Sequence, residues 1–346
     1  MLAKNSHSLA GLKAVSRTRF FCVLLGQPFV VTTLLSGLFC VVKRLDLLLG
    51  IGKDTVFLYG EVFGMVEQQF ASPAKINLCL HVLGRRVDGY HELAMAMQRV
   101  SLFDQIKIRV TAGGGGCVQC GGMTLAAGEE NIAACAAKLL LAEKPRDVGI
   151  DIEIEKNIPV AAGLGGGSSN AATVLVGLNQ MLQLGVSEER LMELGAQLGS
   201  DVPFFIHARP AWATGTGIEL QPLPPLPDVA YLLVNPKIAV STAWVYQSLQ
   251  LTKGGELANL PRFSVLTQAD LCAALHNDLE RVTLERYPLL AEIKQLLLEN
   301  GACGSLMSGS GATLFGVFSD YATACAVADR LAKTYDWLFY PVRPLL

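Results

Sequence analysis

Residues 159–172 read Pro159-Val160-Ala161-Ala162-Gly163-Leu164-Gly165-Gly166-Gly167-Ser168-Ser169-Asn170-Ala171-Ala172. Ahead of them Ile150, Ile152 and Ile154 alternate with Asp151, Glu153 and Glu155, the period-two pattern of a half-buried strand. Behind them Ala171, Ala172, Val174, Leu175, Leu178 and Leu182 recur at helical spacing, and Ser168, Ser169 and Asn170 are residue types suited to the N-cap. A strand therefore passes to a helix through four glycines. Glycine lets backbone N–H groups approach a ligand closely, and the open N–H groups of the following helix attract negative charge. The expected guest is a phosphate. Two familiar phosphate loops do not match: no lysine lies between Asn157 and Leu184, and Ser168 stands where a dinucleotide loop needs glycine or alanine. A tight turn that binds nothing is the plain alternative, but such a turn needs one or two glycines.

A second segment, 70–93, reads FASPAKINLCLHVLGRRVDGYHEL. Alternation from Ala74 to Val82 predicts a strand with Ile76, Leu78, Leu80 and Val82 on one face and Lys75, Asn77, Cys79 and His81 on the other. Lys75 and Asn77 would then project side by side, in a binding site or simply into solvent. Val87-Asp88-Gly89 makes a turn that brings Tyr90 and His91 near the strand end. The third segment ends a predicted helix, Glu188 to Leu198, at Gly199 and places Asp201 before the apolar run Val202-Pro203-Phe204-Phe205-Ile206. Alone, Asp201 reads equally as a cap for the next element. The fourth, Gly304-Ser305-Leu306-Met307-Ser308-Gly309-Ser310-Gly311-Ala312-Thr313-Leu314-Phe315, is a small-residue loop running into a strand.

In this order and spacing the four segments resemble the GHMP kinase superfamily, from about Gln68 to the C-terminus. The resemblance implies an α+β fold of two domains, the first like ribosomal protein S5 and the second ferredoxin-like. It implies ATP-dependent phosphorylation, with Mg²⁺, of the 2-hydroxyl of a methylerythritol carried on cytidine diphosphate, a step of the non-mevalonate route to isoprenoid precursors. Lys75 and Asp201 would be the catalytic pair. Pro159, Val160, Ala161, Ala162, Gly163, Leu164, Gly165, Gly166, Gly167, Ser168 and Ser169 would hold the ATP phosphates, with Ser168 or Ser169 near Mg²⁺ and no other protein ligand assigned to the ion. Asn77 would hold the methylerythritol end, and Tyr90, His91 and Tyr246 the cytosine ring. The family often has glycine where Ala161 and Ala162 stand, which implies a stiffer loop entry here. Another kinase of the superfamily should lack the Asp88-Gly89-Tyr90-His91 run, and a sensor on the same scaffold should have lost Lys75 or Asp201.

Composition sets outer limits. The chain has 346 residues, enough for two domains, and a net charge of −2, which with no basic run interleaved with aromatics argues against nucleic-acid binding. Nine cysteines scattered among apolar residues read as thiols of a cytoplasmic protein. Cys117-x-x-Cys120 reads as part of a mobile glycine-rich loop rather than a zinc site, and the five histidines show no ligand spacing, so no structural metal is expected. Four prolines in Leu220–Asp228 suggest a boundary, giving an ATP-binding and catalytic domain at 65–225 and a C-terminal domain at 226–346. Residues 1–64 form a leader of uncertain status. Its uncharged stretch Phe20 to Val42 is long enough for a bilayer but is diluted by Gln27, Pro28 and Thr32. A start codon assigned too far upstream, with Met65 as the true beginning, is preferred over a membrane anchor, and the kinase core is expected to need no membrane.

Overall fold

The computed structural model describes residues 65–122, 130–249, 260 and 263–345, and the backbone of short strands in the leader. Those strands form two antiparallel pairs, β1 (Arg17–Leu24) with β2 (Gln27–Leu34) and β3 (Leu38–Phe39) with β4 (Gly60–Glu61). What the leader's apolar stretch does otherwise lies outside the described residues. Among the described residues no helix is long and apolar enough to cross a membrane.

The alternation at 74–82 belongs to a longer strand, β5 (Met65–Arg85), paired along its length with the antiparallel β6 (His91–Ala112). The two expected faces of 74–82 do not survive intact. A register shift falls between Asn77 and Cys79, and the side chains change sides there. Ala74, Ile76, Leu78 and Cys79 join one buried cluster, whereas Leu80 and Val82 join the other. Leu80 thereby shares a cleft wall with Lys75 and Asn77. Both sides of this strand are covered, so Lys75 is only 4% exposed.

The first sheet runs β10-β9-β6-β5-β12, with β9 (Ala211–Gly215), β10 (Glu219–Pro222) and the two-residue β12 (His276–Asn277). The far half of β6 carries β8 (Val148–Glu155), which pairs in parallel with β7 (Val118–Gly121). Cys120 therefore sits in a strand and Cys117 beside it, correcting the loop reading: the Cys117 carbonyl accepts Ile150 N–H at 2.8 Å. One side of the sheet packs on helices α1 (Ile132–Glu143) and α2 (Gly166–Met181), where Ile106, Ile108 and Ile152 meet Leu140, Leu175 and Leu178. Helix α3 (Glu188–Leu198) begins and ends as the sequence indicates, with Ser187 capping Arg190 N–H and Gly199 closing it. Helix α4 (Val202–His207) follows.

A second sheet, β13-β14-β11-β15, is formed by β11 (Ala230–Asn235), β13 (Gly304–Met307), β14 (Leu314–Phe318) and β15 (Leu338–Val342). Between β11 and β13 come α5 (Thr242–Ser248), α6 (Gln268–Ala274), α7 (Glu280–Arg286) and α8 (Leu289–Glu299), and α9 (Tyr321–Leu331) precedes β15. The order of strands and helices is that of a ferredoxin-like domain. This sheet turns Tyr231, Leu233, Phe315 and Val317 toward Ile76, Leu78 and Cys79, so two sheets share a buried layer. Burial pushes the Cys79 thiol up to about 12. Two connections return to the first sheet: β12 pairs in parallel with Cys79 and Leu80, and the C-terminal tail bonds Ser101 N–H to Arg343 C=O and Leu345 N–H to Arg99 C=O. Cys272 and Cys303 are disulfide-bonded, so the reading of every cysteine as a thiol fails for this pair, which α6 and the start of β13 bring together.

Candidate active site

Glycine at the loop's end decides how the phosphate segment is built. Gly165 occupies the N-cap of α2 at φ 68°, and the helix starts at Gly166. Ser168, Ser169 and Asn170 are thus not caps but lie in the first helical turns. Ser169 and Asn170 are buried, and Ser72 Oγ stands 2.8 Å from both Ser169 Oγ and Asn170 Oδ1. Ser168 faces the cleft instead. Ala161 holds φ 52°, a left-handed conformation in which glycine is unstrained, so the alanine does stiffen the loop entry.

Three successive carbonyls of the loop are braced from outside. Thr313 N–H donates to Ala162 C=O at 3.3 Å, Ser308 Oγ donates to Gly163 C=O at 2.9 Å, and Lys75 N–H donates to Leu164 C=O at 3.0 Å. In a trans peptide the N–H points opposite to the carbonyl of the same unit. The N–H groups of Gly163, Leu164 and Gly165 therefore point away from the braces. Ser308 of the second domain also comes close to Gly163: a Cβ there would stand 2.0 Å from the Ser308 carbonyl oxygen.

The loop forms one wall of a cleft of about 1040 Å³. Lys75 Nζ lies 2.6 Å from Asn77 Oδ1 and 3.6 Å from Asp201 Oδ2. Asn77 is fully buried and its amide also donates to Met95 Sδ, so its oxygen serves the lysine. Asp201 stands at the N-cap position of α4 yet makes no side-chain capping bond, and its carboxylate, 28% exposed, is left for the cleft. Of its two sequence readings, the capping one is not realised. In the same cleft Tyr90 is 63% exposed on the rim, and the His91 ring stacks on Tyr246 with centroids 4.9 Å apart. Burial, then the Arg85 charge, holds the His91 imidazole below its usual 6.5. Burial, then Asp201, raises the Tyr246 phenol.

Lys75, Asn77, Tyr90, His91, Asp201, Tyr246 and most of the loop thus line one cleft, whereas Leu164 and Ser169 do not face it. Sequence reading missed Arg85, Lys156 and Asp104. Among the described residues Arg85 and Lys156 line the cleft with Lys75; Lys156 is paired with Asp104 outside the lining and Lys75 faces Asp201, so Arg85 adds the excess positive charge that suits polyphosphates. Lys156 pairs with the buried Asp104, which also accepts Asn157 N–H and Ile158 N–H at 2.8 and 2.9 Å and so anchors the loop's entry. Lys156 was legible as the last cation before the loop. Nothing marked Asp104, which reads as an ordinary strand position.

Comparison with known proteins agrees with this geometry. The family model for the GHMP kinases N terminal domain matches residues 131–209, and that for the GHMP kinases C terminal domain matches 258–336. The chain is 59% identical over 278 residues to 4-diphosphocytidyl-2-C-methyl-D-erythritol kinase of Syntrophotalea carbinolica, covering 80% of this chain and 99% of that protein. It is 52% identical over 281 residues to the protein of the same name from Geobacter sp. strain M21, covering 81% and 100%. A crystal structure of 4-(cytidine 5'-diphospho)-2C-methyl-D-erythritol kinase superposes with TM-score 0.68 at 35% identity, over 80% of this chain and 99% of that one. Homoserine kinase from Cytophaga hutchinsonii shares the fold, with TM-score 0.62 at 18% identity, over 84% and 98%.

Proposed function

The chain belongs to the GHMP kinase family, and from that premise we propose that it transfers the γ-phosphoryl group of ATP to the 2-hydroxyl of 4-diphosphocytidyl-2-C-methyl-D-erythritol, giving the 2-phosphate and ADP. The observation that carries this reading is the meeting of Lys75, Asp201 and the glycine loop in one cleft that Tyr90, His91 and Tyr246 also line. Phosphoryl transfer needs positioning and charge stabilisation more than a covalent intermediate. The loop N–H groups and the start of α2 hold the ATP phosphates. Asp201 accepts the proton of the attacking 2-hydroxyl, while Lys75, steered by Asn77, offsets the charge on Asp201 and on the transferred oxygens. His91 and Tyr246 stack at the base end, and Tyr90 closes the rim over cytosine.

The oxygen ligands fit a Mg²⁺ ion that arrives with the nucleotide. Of the described oxygen groups that line the cleft, we assign to it the Ser168 hydroxyl at the start of α2 and the Asp201 carboxylate, in keeping with an ion held by one or two carboxylates, phosphates and waters. When bound, Mg²⁺ neutralises phosphate charge. We place the reaction in the cytoplasm, where ATP is supplied, and take residues 65–225 and 226–346 as its two domains.

A coupled ADP-release assay tests the proposal with the cytidine diphosphate substrate, homoserine and mevalonate side by side. Turnover should be confined to the cytidine substrate. Preference for homoserine or mevalonate would overturn it.

A further inference from the structure

Behind the cleft, where β12 lies along β5, His81, His276 and Asp278 each bring one metal-ligating atom within 4.8 Å of the other two. We propose that these three side chains bind a divalent transition-metal ion of the zinc class, clamping the segment that leads into α7 onto the first domain. The inference is independent of the reaction assigned to the cleft.

The placement follows from the backbone. His276 pairs with Cys79 in the short parallel ladder, and the next pair, Asn277 with Leu80, is followed by Asp278 N–H donating to Leu80 C=O at 3.0 Å. Asp278 Oδ2 accepts Val82 N–H at 2.7 Å. One carboxylate oxygen is therefore fixed, and the other, Oδ1, lies 2.7 Å from His276 Nε2. The His81 ring stacks on His276 with centroids 4.4 Å apart and an interplanar angle of 17°. His81 reaches this side of the sheet because the register shift after Asn77 turns it away from Lys75.

Around a tetrahedral ion with bonds of about 2.0–2.2 Å, ligand atoms stand roughly 3.3–3.6 Å apart. The Asp278–His276 contact must open slightly, the His81 contact close by up to about 1.2–1.5 Å, and the stacked imidazoles turn out of parallel so that a nitrogen of each points at the ion, movements that partly exposed side chains allow. Two imidazoles and one carboxylate suit zinc, cobalt or nickel, whereas magnesium and calcium prefer oxygen alone. Three protein ligands leave a fourth position for water. The ion would sit beside a lever on the cleft, because Asn277, between the two ligands, donates to Met307 C=O and Gly309 C=O at 2.8 Å and so holds the small-residue loop. The competing account is a partly exposed His276–Asp278 ion pair with no metal affinity.

Titration of the full chain with CoCl₂ in excess MgCl₂ separates the two. Expected are one bound cobalt per chain, visible d–d absorption without a thiolate charge-transfer band, and displacement by ZnCl₂. His81→Phe keeps a ring in the stack and removes a donor, and His276→Gln tests the second ligand at a partly exposed position. Each should weaken cobalt binding by more than the roughly 10–100-fold typical of changes that only support a ligand, and zinc should raise the melting temperature of the parent chain but not of His81→Phe. Absence of stoichiometric cobalt, an affinity unchanged from the parent chain in both variants, or a charge-transfer band lost in Cys117→Ser/Cys120→Ser would overturn the proposal.

Discussion

At the scale of single residues the chemistry rests on a cation shared by two oxygens. Lys75 Nζ is held by Asn77 Oδ1 and faces Asp201 across 3.6 Å, so removal of either charge disturbs one unit. Asp201→Asn should bind both substrates nearly as before and lose about 10²–10⁴-fold in kcat, the usual share of a general base. Lys75→Ala should fall in the same range, and the double variant should be little worse than either single one, because residues acting together are strongly non-additive. Multiplying losses in a steady-state comparison would show that the two act independently. His91 supports a second prediction. Its pKa lies below 6.5, so the imidazole is neutral at physiological pH and offers one donor and one acceptor nitrogen to a base edge. The KM for the cytidine substrate should stay nearly flat from about pH 8 down to 7 and rise in more acid solution, as protonation removes the acceptor. Tyr90→Ala should raise that KM at every pH, since base–aromatic stacking contributes about 1–3 kcal/mol. A KM that already climbs between pH 8 and 7 would exclude His91 as the group concerned.

Among the elements, the loop between β8 and α2 is held by other parts of the chain rather than by itself. Gly163, at φ 77°, leaves no room for a Cβ beside Ser308, whereas Gly185, at φ 67°, has open space around it. Alanine at either site meets the left-handed cost of about 1–2 kcal/mol. Gly163→Ala should lose more stability than Gly185→Ala in thermal melts, and it alone should raise the KM for ATP; equal melts and unchanged ATP affinity would mean that the contact with Ser308 is dispensable. The same elements show what sequence reading reaches. Helix α3 was legible to the residue because its limits are set locally, by Gly199 at its end and, as the structure shows, by the Ser187 side chain at its start. The faces of β5 were not, because the shift after Asn77 is set by its pairing with β6 and leaves no mark in alternation. The start of α2 was misplaced for a related reason: three hydroxyl and amide residues look like caps, but a left-handed Gly165 already ends the loop, and Ser72 takes up Ser169 and Asn170. The site itself was legible wherever its residues stand in runs, as Lys75, Tyr90, His91 and the loop do. Asp104 escaped because only the folded chain brings it to the loop's entry.

On the scale of the whole molecule, all the described residues that line the cleft stand at Lys75 or later. A chain beginning at Met65 should therefore fold and phosphorylate as well as the full chain; loss of soluble, active protein would show that the leader belongs to the fold. The two domains are interleaved rather than strung in series. β12 lies against β5 in the first sheet, and Arg343 and Leu345 bond to Ser101 and Arg99 beside it. Synthesis gives that arrangement a clock. Domains ordinarily fold from the N-terminus as the chain emerges, but here the strand bearing Lys75 waits for residues 276 and 277 to cover one edge and for the last few residues to reach Ser101. Ribosome-bound nascent chains arrested before residue 276 should stay open to protease around β5, and protection should arrive only once the C-terminal tail has cleared the exit tunnel. A cell making this enzyme therefore has an unfinished catalytic domain in hand until residues 343–345 have emerged, and whatever shields nascent chains must attend it until then.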